Sequence, residues 1–91
     1  MECQKNQSIG GLEMREAVKW FAEKMEEQLK ENDFKGGWRD DAVSHLFHEL
    51  CEEIGELGEC LIDKDSSINI VEECADAANY IMMIADRHRD Y

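Results

Sequence analysis

Between residues 49 and 76 the chain carries ten aspartates and glutamates and a single base, Lys64. Glu49, Glu52, Glu53, Glu56 and Glu59 fall in one helical pattern, and Glu73 and Asp76 in the next. At about 100° per residue, Glu49, Glu53 and Glu56 lie within about 60° of one another on a helix, with Glu52 just beyond them. Glu73 and Asp76 are three apart and share a face. Like charges at such spacings each cost a few tenths of a kcal/mol on a helix, so two acidic faces set against each other need a counter-charge. Hard divalent cations take oxygen ligands, and Mg²⁺ in particular accepts a few carboxylates together with waters and phosphates. The spacing therefore predicts one or more Mg²⁺ held between Glu53/Glu56 and Glu73/Asp76, with Mn²⁺ as a substitute. Glu59, Asp63 and Asp65 read as solvated acids.

Other metal chemistries fit less well. A di-iron bundle needs Glu-x-x-His on two helices. The residues three before His45, His48 and His88 are Ala42, His45 and Ala85. The histidine spacing matches no zinc motif, and an EF-hand loop is missing. An all-carboxylate set favours Mg²⁺ or Mn²⁺.

The acids must be positioned by helices. The chain has no proline, and it is rich in Glu, Leu, Ala, Met and Lys, which are good helix formers. Apolar residues recur at helical steps in three runs. The first covers 12–32, with Met14, Val18, Phe21, Met25 and Leu29 as its stripe and Trp20 pointing away. Residues 33–41, with Gly36-Gly37, break the period and form a loop in which Asp40 or Asp41 can cap the next helix. The second covers about 42–62, with Val43, Leu46, Phe47, Leu50, Ile54, Leu57 and Leu61. After a short connection, Asn69 and Glu72 resemble a capping box. The third then covers about 69–88, with Ile70, Cys74, Ala78, Ile81 and Ala85 as its main stripe. A short connection makes the second and third helices antiparallel neighbours. Tyr80, Met83 and Ile84 lie off the main stripe. This extra apolar surface predicts an all-α bundle completed by a homo-oligomer.

Ninety-one residues allow one domain, read here as a flexible leader over 1–11 and an all-α domain over 12–91. The net charge of −12 repels polynucleotides and anionic lipid. A free nucleotide would need a divalent cation as go-between. The cysteines Cys3, Cys51, Cys60 and Cys74 form no C-x-x-C pair, and read as small core residues in a reducing cytoplasm. The first fifteen residues are mostly polar, and no apolar run approaches the ~20 residues of a membrane span.

Glu52-Glu53-Ile54-Gly55-Glu56, followed after sixteen residues by Glu73-Cys74-Ala75-Asp76, resembles the Glu-Glu-x-x-Glu … Glu-x-x-Asp signature of MazG-like nucleotide pyrophosphohydrolases. The loop from Lys35 through Trp38 to Asp40 resembles the tryptophan-containing loop before the first motif helix. Asn79, Tyr80 and the run 82–86 are similar to phage and bacterial members. The resemblance spans about residues 30–88. Many members have Leu-Gly where this chain has Cys74-Ala75, also small. The resemblance implies Mg²⁺-dependent cleavage of (d)NTP to monophosphate and pyrophosphate. Glu53, Glu56, Glu73 and Asp76 would be metal ligands. Glu52 would position or deprotonate the attacking water, an oriented Glu53 sharing that role. Trp38 and Tyr80 would contact base or sugar, and Asn79 and Lys35 the sugar or phosphates. The family forms dimers or tetramers. Related all-α enzymes cleave dUTP, dCTP or phosphoribosyl-ATP. A reading outside enzymology is an oligomeric helical interaction module with a solvated acidic face.

Overall fold

The proline-free runs fold as three helices: α1 over Glu16–Glu31, α2 over Val43–Ile62 and α3 over Ser67–Arg87. The computed structural model describes residues 8–9, 12–33 and 36–89. Lys35, Cys3 and most of the expected leader lie outside the described residues. Ahead of α1, β1 (Ser8–Ile9) pairs antiparallel with β2 (Leu12–Glu13), Ser8 opposite Glu13 and Ile9 opposite Leu12. Among the described residues, the architecture is all-α apart from this two-residue ladder. Among the described residues, no helix is long and apolar enough to cross a membrane.

Helix α3 is central. Helices α1 and α2 each pack on it and do not pack on each other. The core is accordingly thin. Leu46 (1% exposed) and Leu50 (7%) come from α2, Ala75 and Ala77 from α3, and none from α1. Small residues on α3 let two neighbours approach its axis, and two-sided packing displaces the buried face from where one apolar stripe would put it. The expected stripe of α3 is therefore corrected. Ile81 and Ala85 are exposed and Ile70, Cys74 and Ala78 half-buried, while Ala75, Ala77 and Asn79 are buried. On α1 the expected stripe is half-covered, with Val18 exposed. Trp20 is exposed, tilted against Phe21 and beneath the Lys24 ammonium.

Helix ends explain the connections. Helix α2 ends in a Schellman turn: Asp65 N–H donates to Cys60 O and Lys64 N–H to Leu61 O. Lys64 takes the left-handed conformation, φ 55°, where glycine is usual. Two residues later Ser66 caps α3, its Oγ accepting from the Asn69 N–H at 3.1 Å. The expected cap at Asn69 is thus corrected by three residues. Asn69 sits in the first turn and its side chain donates back to Asp65 Oδ1. The expected Asp40 or Asp41 cap of α2 is also absent: the N-cap is Ala42, with no side-chain hydrogen bond. Asp41 instead turns its carbonyl to Arg87 Nη1.

Cys51, Cys60 and Cys74 are free thiols. Cys51 is exposed, so the expectation of a core position fails for it.

Candidate functional site

Because α1 and α2 flank α3 without meeting, they leave a cleft floored by α3. Its volume is about 430 Å³, within the range of small-ligand sites. Helix α1 lines it with Gln28 and its C-cap Asn32, α2 with His45, Glu49 and Glu53, and α3 with Asp76, Asn79, Tyr80 and Met83. The loop after α1 contributes Gly36, Gly37, Trp38 and Asp41. That loop is tied to the C-terminal end of α3. Trp38 Nε1 donates to Asp86 Oδ2 at 3.0 Å, Arg39 pairs with the same carboxylate at 3.8 Å, and Arg87 reaches the Asp41 carbonyl.

Where Glu53 and Asp76 line the cleft, a carboxylate oxygen from each of Glu53, Glu73 and Asp76 lies within 4.8 Å of the other two. All three residues are half-buried. Among the described residues, Glu53 Oε1 and Glu73 Oε1 are buried with no hydrogen-bond partner. Buried charged oxygens without partners are costly, and the cost is visible in their acidity. Burial first, then the charge of Glu56, the neighbouring Glu73 carboxyl and the charge of Asp76, push Glu53 up to about 7. Glu73 is also raised, mainly by burial, with Glu56 and Asp76 adding to it against the opposing effect of the neighbouring Glu53 carboxyl. Tyr80 is raised by burial and by Glu49 and Glu53, which keeps its phenol neutral. Crowding and partial burial, which helical spacing alone does not reveal, raise both Glu53 and Glu73.

The sequence-predicted residues are distributed unevenly. Glu53, Glu73 and Asp76 come together. Glu56 is exposed and acts on them through its charge. Glu52 is not brought to this group. It is exposed and faces His48, whose Nε2 is 3.2 Å from Glu52 Oε2. His48, Glu49 and Glu52 form a second, more exposed group within ligand distance of one another. Trp38, Asn79 and Tyr80 all line the cleft. Lys35 lies outside the described residues.

Gln28 and Asn32 were missed from sequence. Gln28 Nε2 donates to Asp76 Oδ1 at 3.1 Å, orienting that carboxylate from α1. Their signal is two amides one helical turn apart, flanking the apolar stripe at Leu29. Asn79 is 4% exposed, its Nδ2 donating to Met25 O at 3.0 Å. No family model, curated protein or solved structure matches this chain.

Proposed function

We propose that this protein is an Mg²⁺-dependent nucleoside triphosphate pyrophosphohydrolase of the MazG-like kind, yielding monophosphate and pyrophosphate. The observation that carries the reading is the convergence of Glu53, Glu73 and Asp76 beside a ligand-sized cleft, with two buried carboxylate oxygens left unpaired among the described residues. An all-oxygen, all-carboxylate donor set suits Mg²⁺ or Mn²⁺. Glu53, Glu73 and Asp76 would hold the metal, with Glu56 beside them on α2. Bound Mg²⁺ would neutralise the triphosphate and polarise its α-phosphorus. Gln28 holds Asp76 in place, and of the two residues expected to orient the water, Glu53 is the one that lines the cleft. Trp38 and Tyr80 supply aromatic surface further along, and the hydrogen bond to Asp86 fixes the indole.

The motif helices form an antiparallel hairpin in this reading, with α2 and α3 joined through the Schellman turn and the Ser66 cap. The working unit is a homodimer or homotetramer. Phe47 (57% exposed), Ile54 (51%) and Leu61 (55%) repeat every seven residues along α2 and are left uncovered by the single chain. Gly58 lies on the same ridge, and a Cβ there would meet nothing within 4 Å. A glycine inside a helix costs about 1 kcal/mol relative to alanine, and close approach by a second helix would justify it.

The test is incubation with a panel of NTPs and dNTPs, with Mg²⁺ or with EDTA, and identification of products by ³¹P NMR. Metal-dependent release of monophosphate and pyrophosphate is expected. Diphosphate plus orthophosphate would sink attack at the α-phosphorus. No turnover, together with no thermal stabilisation by Mg²⁺, would favour the interaction module, for which the uncovered α2 ridge is the supporting feature.

A further inference from the structure

We propose that the amide-lined part of the cleft selects nucleobases that donate hydrogen bonds from an amino group, guanine foremost, and disfavours uracil, thymine and hypoxanthine; this rests on the nucleotide reading above. The reason is an imbalance between donors and acceptors. Three side-chain amides line the cleft: Gln28, Asn32 and Asn79. Each amide nitrogen is already engaged by the protein. Gln28 Nε2 donates to Asp76 at 3.1 Å, Asn32 Nδ2 to Gln28 O at 3.0 Å and Asn79 Nδ2 to Met25 O at 3.0 Å. The one indole N–H of the cleft is likewise engaged, by Asp86 at 3.0 Å. These bonds fix which end of each amide is spent. Asn79 is almost wholly buried, and its Oδ1 has no partner. Among the described residues, the carbonyl oxygens of Gln28 and Asn32 accept nothing either.

A ligand beside these amides therefore meets carbonyl oxygens, and Asp33 and Asp41, which also line the cleft, add no donor side chain. A base edge that offers carbonyls would set acceptor against acceptor and leave Asn79 Oδ1 orphaned. An edge that offers N–H groups would satisfy it. Cytosine and adenine each present one amino group. Guanine presents a ring N–H beside an amino group, the longest run of adjacent donors. Uracil and thymine present one ring N–H between two carbonyls, and hypoxanthine one ring N–H with no amino group. Sites built to hydrogen-bond a ligand group reject the analogue lacking it, because the protein's own polar atom is then left unpaired.

The test compares monophosphate pairs that differ chiefly at one amino group, dGMP with dIMP and dCMP with dUMP. Binding to the full chain is measured by calorimetry with Mg²⁺ present; a monophosphate has no pyrophosphate to lose, so turnover is not involved. About tenfold tighter binding of the amino member is expected in each pair. Asn79→Leu should bring the dGMP to dIMP ratio close to one. Asn32→Leu, at the less buried amide, should lower the same ratio and serves if Asn79→Leu fails to fold. Ratios within twofold in both pairs, tighter binding of the oxo member, or no binding at millimolar nucleotide would each overturn the proposal. The two readings separate cleanly. Cleavage of dNTPs without base preference leaves the enzyme and ends this inference. Preference for the amino member without cleavage leaves the base site and ends the enzyme.

Discussion

Helix α2 has a buried stripe, Leu46 and Leu50, with a different surface on each shoulder. On one shoulder Glu49, Glu53 and Glu56 turn toward α3, where Glu53 meets Glu73 and Asp76. On the other, Phe47, Ile54 and Leu61 face away uncovered. Both shoulders are incomplete in the single chain, but in opposite currencies. Crowded carboxylates lack a positive charge, which one small ion can supply. Exposed apolar side chains lack buried area, which only another macromolecular surface can supply. On the proposed reading, one helix separates the demand for a ligand from the demand for a partner by rotation about its own axis.

Four changes probe this division, in order of expected effect. On the proposed reading, Glu53→Gln should cut pyrophosphohydrolase turnover at least about a hundredfold, since it would remove a ligand and a water-orienting carboxylate together. Circular dichroism should show the helices intact, and the metal-free protein should melt higher at pH 8, because Gln imitates the protonated acid. Turnover close to wild type would put the chemistry elsewhere. Ile54→Asp should act on the other shoulder, placing a charge where an apolar contact is required. Sedimentation velocity should then report the monomer, with the wild type sedimenting as a dimer or larger. An unchanged profile would break the assignment of that shoulder to self-association.

The third change is metal and pH on the wild type. Mg²⁺ at about a hundred times its Kd should add about 2.7 kcal/mol of stability, on the order of ten degrees in melting temperature for a chain of this size. Without metal, the sign with pH follows from Glu53. The folded state keeps its proton up to about 7, whereas the unfolded chain releases it near 4.5. Between those values the folded state binds more protons, so stability falls as pH rises from about 5 to 8. Glu73 acts in the same direction. A differential scanning series that rose with pH would contradict this. The smallest effect is Ser66→Ala, which removes the cap of α3 and should cost about 1 kcal/mol, measured by urea titration.

Much of this was legible in sequence because period and charge are local signals. The three helices fall within a few residues of where the apolar spacing puts them, and the facing acids Glu53, Glu73 and Asp76 follow from helical geometry. Three features were not legible. The cap at Ser66 lacks the Glu or Gln partner that marks a capping box, so the Asn69–Glu72 pair looked better. The buried face of α3 follows small residues that admit two neighbours, and a hydrophobicity pattern underweights alanine and asparagine. Gln28 and Asn32 matter only because α1 crosses α3 beside Asp76, which is a tertiary fact.

The two-sided placement of α3 has a consequence for motion. Among the described residues, helix α1 contributes no buried side chain and rests on α3 alone. Elements with so little burial open at lower free energy than the core they lean on. Amide hydrogens of α1 should therefore exchange faster than those of α2 and α3. A ligand spanning from Gln28 to Glu53 would fasten this arm to the rest of the chain. Its occupancy would then be readable as slowed exchange along residues 16–31.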